Sequence, residues 1–213
     1  MSQAETDVWL SRVFHAPSSP ALASTYDEWA GSYESDMLAV GYLHPAVASG
    51  FVGRHVTELD GRILDAGVGT GLLGHVLSIL GYSKLVGIDI SEGMLARASA
   101  RGVYSDLRNR ALGEKLDFED KSFSAIVSTG VFTAGHAPPS AFEELVRITR
   151  PGGHLIFSVG KGGWESGGFR EKLEGLEAAR RCRPLVITEP YAPMPFSATE
   201  AAATARMFVY EVV

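Results

Sequence analysis

The segment Leu64-Asp65-Ala66-Gly67-Val68-Gly69-Thr70-Gly71-Leu72-Leu73-Gly74 has the residue types and spacing to do chemistry. Glycines at 67, 69 and 71 let the backbone turn sharply at a strand end and approach a ligand with no Cβ in the way. A helix starting behind the bend presents unsatisfied N–H groups to the same space. Asp65 precedes the bend, and Asp89 ends the next apolar run, Leu85-Val86-Gly87-Ile88-Asp89. A carboxylate there can accept hydrogen bonds from both hydroxyls of a ribose lying across the carboxyl edge of a sheet, where open α/β sheets bind ligands. Glycines alone would make only a tight turn. An acid at each of two successive strand ends points to a nucleoside-binding crevice.

Gly69-Thr70-Gly71-Leu72-Leu73-Gly74 also satisfies the dinucleotide fingerprint, with Asp89 as the ribose acid. Asp65, however, stands beside the place where a pyrophosphate would lie and would repel it. No second complete βαβ set of ordinary length follows for the nicotinamide half. A nucleoside carrying an ammonium or sulfonium group suits the same charge, so the cationic ligand is the expected one.

The elements that must position these groups follow from hydrophobic period and Gly/Pro punctuation. Tyr26, Trp29, Tyr33 and Met37 recur at helical intervals, interrupted only by Gly31. A second helix starts at Pro45 and ends at the turn Asp60-Gly61. From Arg62 strands and helices alternate. Strands are expected at Arg62–Ala66, Leu85–Asp89, Asp106–Leu112 and Phe123–Thr129. After the turn Pro151-Gly152-Gly153 come His154–Val159, Leu185–Thr188 and Met207–Val213. Between them lie helices carrying Leu73 to Leu80, Met94 to Ala98 (capped by Ser91), Phe142 to Thr149, and Phe169 to Arg181. Continuous apolar strands alternating with helices mean an α/β, doubly wound, mostly parallel seven-stranded sheet. The last two strands are joined by a Pro-rich link (Pro190, Pro193, Pro195), which predicts an antiparallel last strand. Residues 1–213 read as a single domain, with 1–60 as an N-terminal helical cap.

Composition narrows the partners. With 19 Lys+Arg against 25 Asp+Glu the net charge is −6, and 46% of residues are hydrophobic. That excludes a disordered chain and argues against a nucleic-acid partner, since gripping phosphates needs a cationic surplus. The single cysteine, Cys182, permits neither a disulfide framework nor a cysteine zinc cluster, and no metal site is expected. The eighteen residues between Asp65 and Lys84 lack Asp, Glu, Lys and Arg, but five glycines and His75 make them a poor membrane span. The opening MSQAETDVWL puts acids where a signal peptide carries positive charge, so a cytoplasmic location is expected. Oligomeric state is not legible.

The runs Ile63-Leu64-Asp65-Ala66-Gly67-Val68-Gly69-Thr70-Gly71, Val86-Gly87-Ile88-Asp89-Ile90-Ser91, Phe123–Ser128 and Arg150-Pro151-Gly152-Gly153 resemble class I S-adenosylmethionine-dependent methyltransferases. The resemblance spans about residues 24–213. Tyr26–Tyr33 and Ser128–Ala137 look like a narrower branch, the methyltransferase-like group named after the Williams-Beuren syndrome chromosome region. The resemblance implies S-adenosylmethionine as cofactor, with S-adenosylhomocysteine as product. Gly67, Gly69 and Gly71 would border its methionine part and Asp65 would orient that part. Asp89 would hold the ribose, while Ile90 and Met94 would pack on adenine. Thr129 would lie near the methionine amine. Tyr26 and Tyr33 would close over the cofactor, although plain packing of the cap accounts for that stripe equally; Trp29 is assigned to packing. The family usually places an acid after the third strand for the adenine amino group. Here Ala111 stands at that position, leaving backbone groups of Ala111 and Leu112.

A sulfonium methyl is already activated, so transfer is an in-line displacement that needs alignment, dryness and, for some acceptors, removal of a proton. His136, just past the fourth strand, is the candidate base; a surface-loop histidine before Pro138-Pro139 is the alternative. No Asn/Asp-Pro-Pro-aromatic motif occupies Ser128-Thr129-Gly130-Val131, which disfavours planar-amine acceptors. Cys182 is too far along the chain to serve as a carbon-methylation nucleophile. Arg180-Arg181-Arg183 reads as the basic end of a helix. The expected acceptor is a small molecule, lined by residues such as Phe14, Phe132 or Trp164. A nicotinamide oxidoreductase and a non-catalytic cofactor-binding protein are the rival classes.

Overall fold

The computed structural model describes residues 3–133 and 135–213; Met1, Ser2 and Ala134, the last within the Ser128–Ala137 stretch, lie outside the described residues. Seven strands, β1 (Arg62–Ala66), β2 (Lys84–Asp89), β3 (Tyr104–Asn109), β4 (Phe123–Phe132), β5 (Thr149–Gly160), β6 (Cys182–Ile187) and β7 (Ala205–Val212), form one sheet. Their order is β3-β2-β1-β4-β5-β7-β6. The first five strands pair in parallel, and β7 runs antiparallel to both β5 and β6, as the short Pro-rich link predicts.

Alternation along the central strands buries both faces. Ile63, Ala125, Val127, Ile156, Met207 and Val209 face one layer. Leu64, Ile126, Leu155, Phe157, Phe208 and Tyr210 face the other. The first layer is closed by α4 (His44–His55) and α5 (Leu72–Ile79) through Ala48, Val52, Leu73 and Leu77. The second is closed by α7 (Ala141–Ile148) and α9 (Phe169–Ala178), where Phe157 and Phe208 stack at 5.3 Å. The helix α6 (Glu92–Ala100), capped by Ser91, covers β2 and β3 through Leu95 and Ala98.

Three helices, α1 (Gln3–Phe14), α2 (Ser19–Trp29) and α3 (Tyr33–Ala39), form a separate cluster around Leu10, Val13, Trp29 and Met37. The fourth helix belongs to the sheet layer rather than to this cap. The Tyr26–Met37 stripe is split between α2 and α3, because Asp36 Oδ2 accepts from both Trp29 Nε1 and Ser32 Oγ, each at 2.8 Å, and fixes a kink at Gly31. The cap rests on the Pro-rich link: Leu43 N donates to Pro193 O (2.9 Å), and Met194 is buried in the cap cluster. Asp7 ties α1 to the same link, accepting from Ser197 Oγ at 2.5 Å.

Other boundaries moved for local reasons. β3 covers Tyr104–Asn109 rather than Asp106–Leu112, since its partner strand, β2, ends where Asp89 pairs with Asn109. Pro151-Gly152-Gly153 is absorbed into β5 as an irregularity between the Phe123↔Thr149 and Ala125↔His154 pairs. A short helix, α8 (Lys161–Ser166), follows β5 directly.

Candidate functional site

The strand order reverses between β1 and β4, and the loops beyond the carboxyl ends of these strands enclose the site. After β1 the chain folds back on β2: the N–H groups of Gly67 and Val68 both donate to Ile88 O at 2.9 Å. The three glycines do different things. A Cβ on Gly67 (φ +83°) would lie 2.3 Å from Val131 Cγ2. At Gly69 (φ +53°) a Cβ would meet nothing within 4 Å, so bare backbone faces open space. Gly71 (φ +80°) is the N-cap of α5, and a Cβ there would press on Arg101 and Tyr104. Gly71 therefore lies behind the bend and does not line the cavity.

Asp89 Oδ2 accepts from Gly69 N (2.8 Å) and Oδ1 from Ser91 N (3.0 Å), which fixes the carboxylate without exhausting its capacity to accept. Burial raises its pKa, against the backbone donors of Ser91, Gly69 and Ile90. Asp65 is more deeply buried, and its Oδ2 accepts from the Tyr104 hydroxyl at 2.7 Å. Burial, opposed by that bond and reinforced by the Asp89 charge, pushes Asp65 up to about 7. Thr70 Oγ1, in the same recess, is buried with no partner. Two acids with incomplete compensation, beside bare backbone, fit a ligand that brings a cation and hydroxyl donors.

A cavity in front of the bend collects eleven of the thirteen residues singled out in the sequence: Tyr26, Tyr33, Gly67, Gly69, Asp89, Ile90, Met94, Ala111, Leu112, Thr129 and His136. Asp65 opens instead on the adjoining recess, which shares Gly67, Gly69, Thr129, Tyr33 and Tyr42 with that cavity. Ala111 and Leu112 stand just past β3, and no acid replaces the missing one among the described lining residues near them; Arg110 lies there, paired with Asp117.

The cap closes the cavity from above. Tyr26 Oη lies 3.1 Å from His136 Nε2, a hydrogen bond from α2 to the loop after β4, and Phe14 packs on the same imidazole at 5.9 Å. Asp27 Oδ1 accepts from Ser91 Oγ (2.6 Å) and Gly93 N (2.8 Å), docking α2 on the start of α6. Trp29, stacked on Trp9 at 5.8 Å, is buried packing.

A second, larger cavity lies between the cap and the ends of β4 and β5, and meets the first at Tyr26, Tyr33, Tyr42 and Gly130. Phe14 and Phe132 line it, whereas Trp164 packs on Phe208 in the core, outside it. Sequence reasoning missed Tyr42, His44 and Tyr191, which gather at this junction. The Tyr42 hydroxyl bonds the side chains of Thr129 and Tyr33, and burial pushes it up to about 12. His44 Nδ1 and the Tyr191 hydroxyl are 2.6 Å apart. The one local signal was Gly41-Tyr42-Leu43-His44-Pro45, polar groups crowded into a short interhelical link.

Elsewhere, Arg181 pairs with Glu143 and Arg183 with Glu211, so these basic residues lie past the end of α9 and are held by the protein's own carboxylates. Among the described residues no group of three His, Cys, Asp or Glu side chains converges to hold a metal ion, and no helix is long and apolar enough to cross a membrane.

Residues 64–157 match the model of a methyltransferase domain family. The human methyltransferase-like protein 27 is 35% identical over 155 residues, covering 70% of this chain and 63% of that protein. A phosphatidylethanolamine N-methyltransferase of Cereibacter sphaeroides is 36% identical, covering 48% of this chain and 52% of its own length. The chain thus spans about half to two thirds of these relatives. Among solved structures, the [4+2]-cyclase SpnF superposes with a TM-score of 0.72 at 19% identity, over 92% of this chain and 97% of that one. Geranyl diphosphate C-methyltransferase from Streptomyces coelicolor, solved with S-adenosyl-L-homocysteine, gives 0.61 at 16% identity, over 79% of this chain and 77% of its own. At such identities the likeness is one of fold, and a fold shared with a cyclase does not by itself fix the reaction.

Proposed function

We propose that the chain is a class I, S-adenosylmethionine-dependent methyltransferase, a reading supported by the methyltransferase domain family matched over residues 64–157, and that it transfers the methyl group of S-adenosylmethionine to a small-molecule acceptor by in-line displacement. One observation carries the reading: Asp65, next to last in β1, and Asp89, last in the adjacent β2, flank the Gly67–Gly69 bend, with Gly69 open to the cavity. Bound there, S-adenosylmethionine supplies a methyl group already activated on a positively charged sulfur.

The chain's residues then divide the work. Asp89 takes the ribose hydroxyls. Asp65 and Thr129 face the methionine end, and Gly67 and Gly69 admit it without side chains. Gly71 contributes through the N-terminus of α5. Ile90 and Met94 flank adenine, leaving the Ala111 and Leu112 backbone to meet its edge. Tyr26 and Tyr33 cover the cofactor. His136 stands in the wall of the first cavity, bonded to Tyr26. That partner supports a latch that holds the cap shut, in preference to the proton-accepting role expected from its position in the chain.

A small acceptor is supported by the second cavity and by the net charge of −6. The narrower kinship with the Williams-Beuren group rests on Tyr26–Tyr33 and the Ser128–Ala137 stretch. Thermal-shift comparison of S-adenosylmethionine, S-adenosylhomocysteine and nicotinamide dinucleotides tests the cofactor. We expect stabilisation by the first two only. Radiolabelled methyl transfer into fractionated metabolites then identifies the acceptor, and absence of transfer to any fraction would leave a binding protein.

A further inference from the structure

Granted the reading in which the first cavity holds S-adenosylmethionine, we propose that the second cavity takes an apolar molecule bearing a hydroxyl, and that His44, held by Tyr191, accepts the hydroxyl proton during methyl transfer. The two cavities meet at Tyr26, Tyr33, Tyr42 and Gly130, so a molecule in the second reaches the methionine end of the first only through this neck. Away from the neck the apolar part of the wall, Leu10, Val13, Phe14 and Phe132 among it, would strip water from an aliphatic or aromatic body, while Lys161 and Glu200 also line this cavity. No Asp, Glu, Lys or Arg stands among the neck residues themselves.

What the neck does offer is an imidazole. His44 is buried, its ring set edge-on to Tyr42 at 5.3 Å between centroids. Its Nδ1 is engaged by Tyr191. The opposite, Cδ2–Nε2, edge lies on the Gly130 side, where a Cβ on Gly130 would come 3.7 Å from Cδ2. With Nδ1–H donating to the Tyr191 oxygen, Nε2 keeps its lone pair for a substrate. Burial holds this imidazole neutral down to about 4, so the acceptor state persists through the ordinary pH range. The Gly130 N–H, donating to Ser158 Oγ at 2.9 Å, fixes the strand end beside it.

The step balances without a further reagent. The acceptor oxygen forms its bond to the methyl carbon, the carbon–sulfur electron pair remains on sulfur, and the hydroxyl proton passes to His44 Nε2. A hydroxyl needs that transfer because its methylated, still-protonated form is a strong acid. An aromatic thiol does not, being largely ionised before it reacts.

That contrast supplies the test. Transfer to 2-naphthol and to 2-naphthalenethiol is measured at about pH 8, with calorimetry of S-adenosylhomocysteine on the same preparations. We expect the wild type to methylate both. His44→Ala lowers kcat for 2-naphthol about 100-fold or more, the usual scale of a general base, and changes the thiol reaction no more than about twofold. Binding of S-adenosylhomocysteine stays as in the wild type, which also shows that the variant folds. Tyr191→Phe, a positioning change, lowers kcat for 2-naphthol about tenfold at an unchanged KM. Equal losses on the two acceptors would reduce His44 to a wall residue and overturn the proposal. So would a wild type that binds S-adenosylhomocysteine yet ignores 2-naphthol. A wild type that fails to bind S-adenosylhomocysteine would instead sink the cofactor reading, and this inference with it.

Discussion

The Tyr104 hydroxyl donates to Asp65 Oδ2 across 2.7 Å, and it passes where the side chain of residue 74 would be: a Cβ on Gly74 would sit 2.0 Å from that oxygen. Gly74 therefore serves the acid rather than the ligand. Tyr104→Phe removes one hydrogen bond to a charged group, worth about 1.5–3 kcal/mol, so S-adenosylhomocysteine should bind about 10- to 100-fold more weakly by calorimetry. Gly74→Ala should weaken it in the same direction by displacing Tyr104.

Asp65 also sets a pH dependence. Burial pushes its carboxyl up to about 7 in the unliganded protein, and a cationic ligand favours its ionised form. Affinity for S-adenosylmethionine should rise with pH to about 7 and level off above. Stability of the unliganded protein should move oppositely. The native state keeps a proton that the unfolded state, at the ordinary value of 3.8, has lost, so this group's contribution declines as pH climbs through that interval. Asp65→Asn should flatten both profiles, measured by calorimetry and by Tm across the range.

Asp89 holds the bend as well as the ligand. Asp89→Ala leaves the N–H groups of Gly69 and Ser91 without their acceptor, at about 1–3 kcal/mol each. The expected result is loss of S-adenosylhomocysteine binding by 100-fold or more, on the order of the larger of those costs, with a lowered Tm. Retained affinity would remove Asp89 from the ribose site.

The Tyr26–His136 bond distinguishes latch from base. As a latch, Tyr26→Phe and His136→Ala each weaken cofactor binding, and the double variant is no worse than the worse single one, because both delete one interaction. As a base, His136→Ala would lower turnover at unchanged affinity. A double-mutant cycle on S-adenosylhomocysteine affinity separates the two.

What could be read in the sequence was what is local. Asp65, Gly67, Gly69 and Asp89 announce a crevice because strand, bend and next strand end lie within 25 residues, numbers 65 to 89. The reversal of β7 was legible too, since a Pro-rich link without a helix cannot make a parallel crossover. Gly71 looked like its neighbours and shares their positive φ, but it is the N-cap of α5 and packs against Arg101 and Tyr104, a distinction that lies in its surroundings and not in residue type. His44 and Tyr191, 147 positions apart, meet only because the Pro-rich link folds back beneath the cap. Tyr104 reached Asp65 by the same kind of long-range accident of packing, through a gap that Gly74 leaves open.

Isothermal titration of the purified protein with S-adenosylhomocysteine, run beside a titration with reduced nicotinamide dinucleotide, bears most directly on the two-carboxylate crevice. The account predicts saturable one-to-one binding of the sulfur nucleoside, abolished in Asp89→Ala, and no heat from the dinucleotide. Saturation by the dinucleotide with silence from the sulfur nucleoside would contradict it.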